Sequence, residues 1–327
     1  MQYYKAKILL RRGLTVKNTR EISLNVVAAQ RGFLYIFFSM GLDINSVLFL
    51  LAARERGADF GDVLMIGRQD LNVYPAKMRK VLARAGLATD LFAAEAKNTL
   101  YAEPVFQALG CRKVSSLDAS AFEGADFIHD MNQPVGDDLK QKFDLVYDGG
   151  TLEHIFNFPV ALQNCMEMVR EGGRFITHTC ANNWCGHGFY QFSPELFYNV
   201  MNNDNGFEVE RMVLHVVGPY SRWYEVADPQ KIRSRVELFN SFPLQLLVQA
   251  RRKKILPLFS KPPQQSDYSV RWADQSPAQK QRFTIARPKL AKILPGVARL
   301  GNVLSIGWQM WHGNSLANRN KFRPAKK

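Results

Sequence analysis

Cysteine is scarce in this chain. Four in 327 residues exclude a disulfide-stapled scaffold and point to a reducing, cytoplasmic setting. Also lacking is an uninterrupted apolar run of the roughly 20 residues that a spanning helix needs. The longest candidate, GFLYIFFSMGL at 32–42 and SVLFLLAA at 46–53, is broken by Asp43, Asn45 and Ser46, so it reads as two buried helices or a helix and a cap. A secretory leader would place its apolar region nearer the N-terminus, before a small-residue cleavage site. No Ser-His-Asp elbow, phosphate-binding Gly-Lys-Ser/Thr loop or zinc-protease helix is present. Cys180, Cys185 and His187 lie close together, but Cys111 and Cys165 have no neighbours to complete a zinc set, so no metal is expected.

Acidic residues are nearly missing from one region only. Residues 251–327 hold 17 Lys/Arg against Asp267 and Asp274, a charge of +15; residues 1–250 hold 26 Lys/Arg and 27 acids, a charge of −1. The net +14 therefore belongs to the C-terminal segment and says nothing about the body. A basic segment of this kind contacts an anionic membrane surface or an acidic partner, which adds a peripheral location at the inner face of the membrane to the expectation, or it is a solvated tail. Nucleic acid is less favoured, because the body is neutral and no aromatic-interleaved RNA module is visible.

With 46% hydrophobic and 22% charged residues the chain has globular composition. Residues 1–60 read as a mainly helical N-terminal extension. Strands are expected at 62–67, 111–118, 125–130 and 143–148, with helical stretches at 75–86 and 93–109. Asn157 reads as a helix cap, Pro159 fits the first turn, and Leu162, Cys165, Met166 and Val169 recur at helical spacing until Gly172-Gly173. A strand at 174–179 then completes a strand–crossover helix–strand unit of the sort that builds parallel sheets. Late strands fall at 207–217 and 243–250. The expected fold is a doubly wound, mostly parallel α/β sheet over 61–250, followed by a basic extension over 251–327 in which 288–311 could form amphipathic pieces.

In such sheets ligands bind just past the carboxyl ends of the strands. The ends here are Gly67-Arg68-Gln69-Asp70, Asp118-Ala119-Ser120, Asp130-Met131-Asn132 and Asp148-Gly149-Gly150-Thr151-Leu152-Glu153-His154. A nucleoside suits them: Gly67 permits close backbone approach, Asp118 can accept two ribose hydroxyls, and Asp130 can accept from an exocyclic amine. Each aspartate taken alone reads as a helix cap or turn residue; their joint placement raises the functional reading.

FDLVYDGGTLEHIFNFPVALQNCMEMVREGGRFI at 143–176, with ANNWCGHGFYQFSPELFYNVM at 181–201 and NGFEVERM at 205–212, resembles the class I S-adenosylmethionine-dependent methyltransferases, of the bacterial type found in surface-polysaccharide and natural-product pathways. The resemblance spans roughly residues 60–250. It implies a seven-stranded Rossmann-like methyltransferase fold, S-adenosylmethionine as cofactor, and a small-molecule or sugar acceptor methylated on oxygen or nitrogen. The cofactor residues would be Gly67, Arg68, Gln69, Asp118, Asp130, Met131, Asp148, Gly149 and Glu153. The first glycine motif is degenerate: only Gly67 of the usual G-x-G-x-G stands here, and Asp118 follows it by 51 residues rather than about 20. Either the cofactor binds in an altered pose, or the fold serves as a binding scaffold; an RNA-directed enzyme is a further alternative. His187 and His154 are the candidate general bases, because imidazole titrates nearest neutral pH. Phe189 and Phe192 would wall the acceptor pocket, and Tyr190 and Gln191 would hydrogen-bond the acceptor.

Overall fold

The computed structural model describes residues 26–27, 35–36, 41–92, 101–218, 221–268, 304, 307–308 and 313–327. The expected helix within 1–25, most of the apolar run at 32–42, the helical reading of 93–100 and most of the amphipathic pieces at 288–311 lie outside the described residues.

The chain divides into two units, Met1–Ser39 and Met40–Lys327. In the first, β1 (Val26–Val27) pairs antiparallel with β2 (Tyr35–Ile36), so this part of the expected helical extension is extended chain. The helix expected near 46–53 is real: α1 (Ile44–Glu55) begins on Asp43, whose carboxylate accepts from the Ser46 amide at 2.8 Å. It belongs to the second unit, so the division falls at 39/40 and not at 60.

The second unit is a mixed sheet between two helical layers. Its strands are β3 (Asp62–Ile66), β4 (Lys113–Asp118), β5 (Phe127–Ile128), β6 (Phe143–Asp148), β7 (Val169–Asn182), β8 (Phe207–Val216), β9 (Trp223–Val226), β10 (Leu244–Arg252) and β11 (Phe322–Ala325). They lie in the order β11-β9-β8-β10-β7-β6-β3-β4-β5. Neighbours from β7 to β5 are parallel, and those from β7 to β11 are antiparallel. The sheet therefore has nine described strands, not seven, and only one half of it is parallel.

Alternation along the strands separates two cores. Leu64, Ile66, Val146, Phe175, Leu246 and Val248 face α4 (Phe158–Met168) and α5 (Pro194–Val200). Val63, Met65, Leu145, Tyr147, Ile176 and Leu247 face α1, α2 (Pro75–Arg84) and α3 (Glu103–Ala108). Strands covered on both faces read as short continuous apolar runs, which is why DVLMI and FDLVYD were legible.

Three local expectations change. Asn157 does not cap α4 with its side chain; its amide donates to the Asn132 carbonyl at 3.1 Å. The helix stops at Met168, before the glycine pair, and Gly172-Gly173 lies inside β7. A Cβ at Gly173 would lie 2.9–3.0 Å from the carbonyls of Phe143, Asp144 and Arg170, so this position admits only glycine without rearrangement. The third change concerns the cationic run at 251–254. Arg251 and Arg252 are still in β10, and the buried Arg252 guanidinium donates to the carbonyls of Met166, Glu167 and Val169, closing the end of α4. The chain's last residues are likewise no tail: β11 extends the sheet beyond β9, with Phe322 fully buried. Among the described residues no helix is long and apolar enough to cross a membrane.

Candidate functional site

The strand order reverses between β3 and β6, and the crevice beyond that point is where open α/β sheets hold ligands. β6 is buried along its whole length and ends on Asp148, which has no exposed surface. One carboxylate oxygen accepts from the amides of Thr151 and Leu152, holding the turn that follows; the other accepts from the Thr177 hydroxyl at 2.7 Å. Burial raises the Asp148 carboxyl above its ordinary range, against those hydrogen bonds.

That turn leads into a 3-10 segment, Leu152–His154. Glu153 is fully buried; one of its oxygens accepts from the Thr179 hydroxyl at 3.0 Å, and the other, Oε1, has no hydrogen-bond partner among the described residues. Burial, and then the neighbouring Asp148 charge, push this carboxyl up as well. Thr177 and Thr179 share one face of β7 by period-two alternation, so the strand offers one hydroxyl to each acid. Neither threonine stood out in the sequence reading; the i, i+2 pattern in RFITHT was the available signal.

The loop after β7 is latched onto this turn. The Glu153 carbonyl accepts from the amides of Phe189 and Tyr190 at 2.8 and 3.2 Å. Gly188 permits the approach, since a Cβ there would stand 2.7 Å from the same carbonyl oxygen. The latch brings the His187 ring to 5.1 Å from that of His154 and 5.0 Å from that of Trp184. Both imidazoles are half-buried, and burial lowers both below the ordinary histidine range; the nearby His187 lowers His154 further. His187 Nε2 is buried without a hydrogen-bond partner among the described residues.

At the other side of the reversal, Gly67 adopts φ 72°, a conformation that favours glycine. A Cβ there would meet the Thr151 hydroxyl at 2.8 Å. Gln69 is buried, and its amide donates to the Ile66 carbonyl at 2.6 Å and to the Thr151 hydroxyl at 3.2 Å. Its carbonyl end lies where a Cβ on Gly149 would project, so this side chain fills the space between the two glycines. Arg68 is drawn aside: it pairs with Glu103 at 2.6 Å, donates to the Glu123 carbonyl at 2.7 Å, and stacks 4.0 Å above the Tyr101 ring.

The remaining sequence candidates divide. Asp118 ends β4 half-buried, its carboxylate engaged among the described residues by the Ser120 amide at 3.3 Å. Asp130 is exposed and folds back onto its own turn, accepting from the amide and side chain of Asn132, which holds it below the usual carboxylate range. Met131 and Phe192 are buried in the core on the α4 face. Tyr190 donates to the Phe156 carbonyl at 2.7 Å, and Gln191 accepts from the Trp184 amide at 2.7 Å, so both serve the loop. Phe189 is exposed and meets the exposed Phe156 edge-on at 5.8 Å.

No family model and no curated protein matches the chain. Solved structures with similarity to it include the branched-chain polyamine synthase of Thermus thermophilus in complex with N4-aminopropylspermidine and 5'-methylthioadenosine (12% identity, 68% of this chain and 60% of that chain, TM-score 0.33). The N-methyltransferase NodS of Bradyrhizobium japonicum is similar at 14% identity, over 64% of this chain and 94% of that chain, TM-score 0.33. A Burkholderia thailandensis 1,6-didemethyltoxoflavin-N1-methyltransferase is similar at 15% identity, over 64% and 78%, TM-score 0.34. The chain thus spans about three-fifths of the length of the polyamine synthase. At these scores the similarity says nothing about chemistry, and the architecture rests on the strand order itself.

Proposed function

We propose that the chain transfers a methyl group from S-adenosylmethionine to an oxygen or nitrogen of a small molecule or sugar, in surface-polysaccharide or natural-product biosynthesis. The observation that supports this reading is that Asp118, Asp148, Glu153, His154 and His187 lie at or after the carboxyl ends of β4, β6 and β7, the strands flanking the β3/β6 reversal where a doubly wound sheet takes a nucleotide-like ligand. The residues present suit a nucleoside in part. Asp118 has both oxygens available for vicinal hydroxyls but for one 3.3 Å contact. Gly67 and Gly149 offer bare backbone, but the Gln69 amide lies between them, and binding requires it to swing away.

That displacement breaks the hydrogen bonds of Gln69 to Ile66 and Thr151, each about 1 kcal/mol, which weakens binding roughly tenfold to a hundredfold. The bound cofactor would supply an activated methyl group. The chain aligns the acceptor, and His187 or His154, whose basicity burial lowers, takes its proton. Phe189 and Phe156 wall the mouth.

A calorimetric titration tests this. S-adenosylmethionine should bind the full chain, and Gln69→Ala should tighten it about tenfold or more. A retained scaffold without cofactor use is the second reading, favoured by the way Gln69 occupies the exit of β3. It predicts no heat at millimolar ligand for either protein, and that result rejects the enzymatic reading.

A further inference from the structure

We propose that Glu153, His154 and His187 form a binding site for one divalent transition-metal ion. One carboxylate oxygen and one nitrogen from each ring lie within 4.8 Å of one another. Two atoms at this cluster, Glu153 Oε1 and His187 Nε2, are buried and have no hydrogen-bond partner among the described residues. Leaving such atoms unsatisfied costs about 1–3 kcal/mol each, so a ligand that satisfies both would be favoured there. A lone cation does so, because both atoms can present lone pairs to it.

The surrounding structure imposes this arrangement. The second Glu153 oxygen is already occupied by Thr179, which leaves Oε1 directed elsewhere. The Phe189 and Tyr190 amides bind the Glu153 carbonyl, and the missing Cβ of Gly188 lets the His187 loop lie against it. Two imidazoles and one carboxylate suit zinc, ferrous iron, cobalt or nickel rather than magnesium, and three protein ligands leave coordination positions open to a further ligand. Bonds of about 2.0–2.2 Å require ligand atoms roughly 3–3.5 Å apart, a closure within reach of small rotations of side chains on a 3-10 turn and a loop. Neighbouring groups are already committed: Asp148 to Thr151, Leu152 and Thr177, and Cys180 to the Tyr190 carbonyl. The site stands on these side chains alone and does not depend on methyl transfer; while the ion is bound, neither imidazole has a lone pair left to take an acceptor's proton, so the two roles exclude each other. Short-spacing rules miss it, because α4 and β7 separate His187 from Glu153-His154 in the chain.

The test uses the full chain, stripped with chelator and titrated with Zn²⁺ by calorimetry and with Co²⁺ by visible absorption, without S-adenosylmethionine. One equivalent should bind at micromolar concentration or below. His187→Ala and His154→Ala should each weaken binding at least a hundredfold, Cys185→Ser should leave it unchanged, and millimolar Mg²⁺ should not compete. X-ray absorption at the zinc edge of the unaltered chain should show two imidazoles and only oxygen otherwise, a readout that needs no variant to fold. Absence of saturable binding, binding that survives His187→Ala, loss in Cys185→Ser, or sulfur in the zinc shell would overturn the proposal.

Discussion

At the scale of single residues, identity mattered less than what each side chain was already bonded to. Asp118 and Asp130 read alike in the sequence, yet one ends β4 nearly free and the other is consumed by its own turn. Gly188 has its reason only in the fold, where it lies close against the Glu153 carbonyl. Gly188→Ala should therefore unlatch the loop and lower stability by roughly 1–3 kcal/mol, since overpacking at a tight contact costs about that much. Hydrogen exchange at the Phe189 and Tyr190 amides should accelerate; unchanged protection would show that the contact relaxes without cost.

A second residue-scale prediction concerns His215, which is buried, stacked 5.6 Å from His178, and held down to about 4 by burial and by that neighbour. Its ordinary value is near 6.5, so as pH falls below 6.5 the unfolded chain takes up a proton that the folded chain refuses until about 4. Stability from this residue is thus full above 6.5 and declines across that window, by roughly 3 kcal/mol in all. Urea melts at pH 7 and pH 4.5 should show a smaller acid loss in His215→Gln than in the unaltered chain. Equal losses would assign the acid sensitivity to other groups.

At the scale of elements, the clearest lesson is the end of α4. Periodicity placed this helix correctly, and the glycine pair then suggested its stop four residues late, because glycine is the common terminator. The actual stop is supplied from 83–86 residues away by Arg252, which reaches three carbonyls that the helix cannot satisfy itself. No local pattern carries that information. Arg252→Met should lower stability by about 2–3 kcal/mol, the range for buried hydrogen bonds from a charged donor. Lys254→Ala, at an exposed position two residues on, should change it by about 0.5 kcal/mol or less. Chemical denaturation of the two variants separates a structural cation from a solvated one. β7 makes the complementary point: its alternation sends Thr177 and Thr179 to the acids of the crevice and His178 to the Ser46 hydroxyl on the opposite face.

At the scale of the whole molecule, the sequence divided the chain by charge, and the structure divides it by contact. The basic segment beyond 250 supplies the end of β10, the cap of α4 and the strand β11. Lys327 donates to Asn45 at 3.0 Å and stands 5.6 Å from the Trp223 ring, and the Lys326 carbonyl accepts from Arg211 at 2.7 Å. Removing residues 322–327 should therefore lower stability by several kcal/mol, because it uncovers Trp223 and leaves β9 as a bare edge. Denaturation midpoint and size-exclusion profile measure this together; a truncated chain that melts and elutes like the full one would return the segment to the status of a tail. β9 and β11 escaped the sequence reading for a physical reason: WYEV is short, and FRPA carries a proline, which a sheet tolerates at an edge.

Apolar runs buried on both faces determine themselves, since any chain that contains DVLMI, FDLVYD and RFITHT must cover them, and crossover chirality leaves few ways to do so. The parallel half of the sheet, with polar residues at the ends of its strands, was therefore readable from residue order alone. The partners of those polar groups were not. Which carboxylate oxygen is left bare, which glutamine fills the gap between two glycines, and which distant arginine ends a helix all depend on atoms that meet only after strands far apart in the chain have been laid side by side.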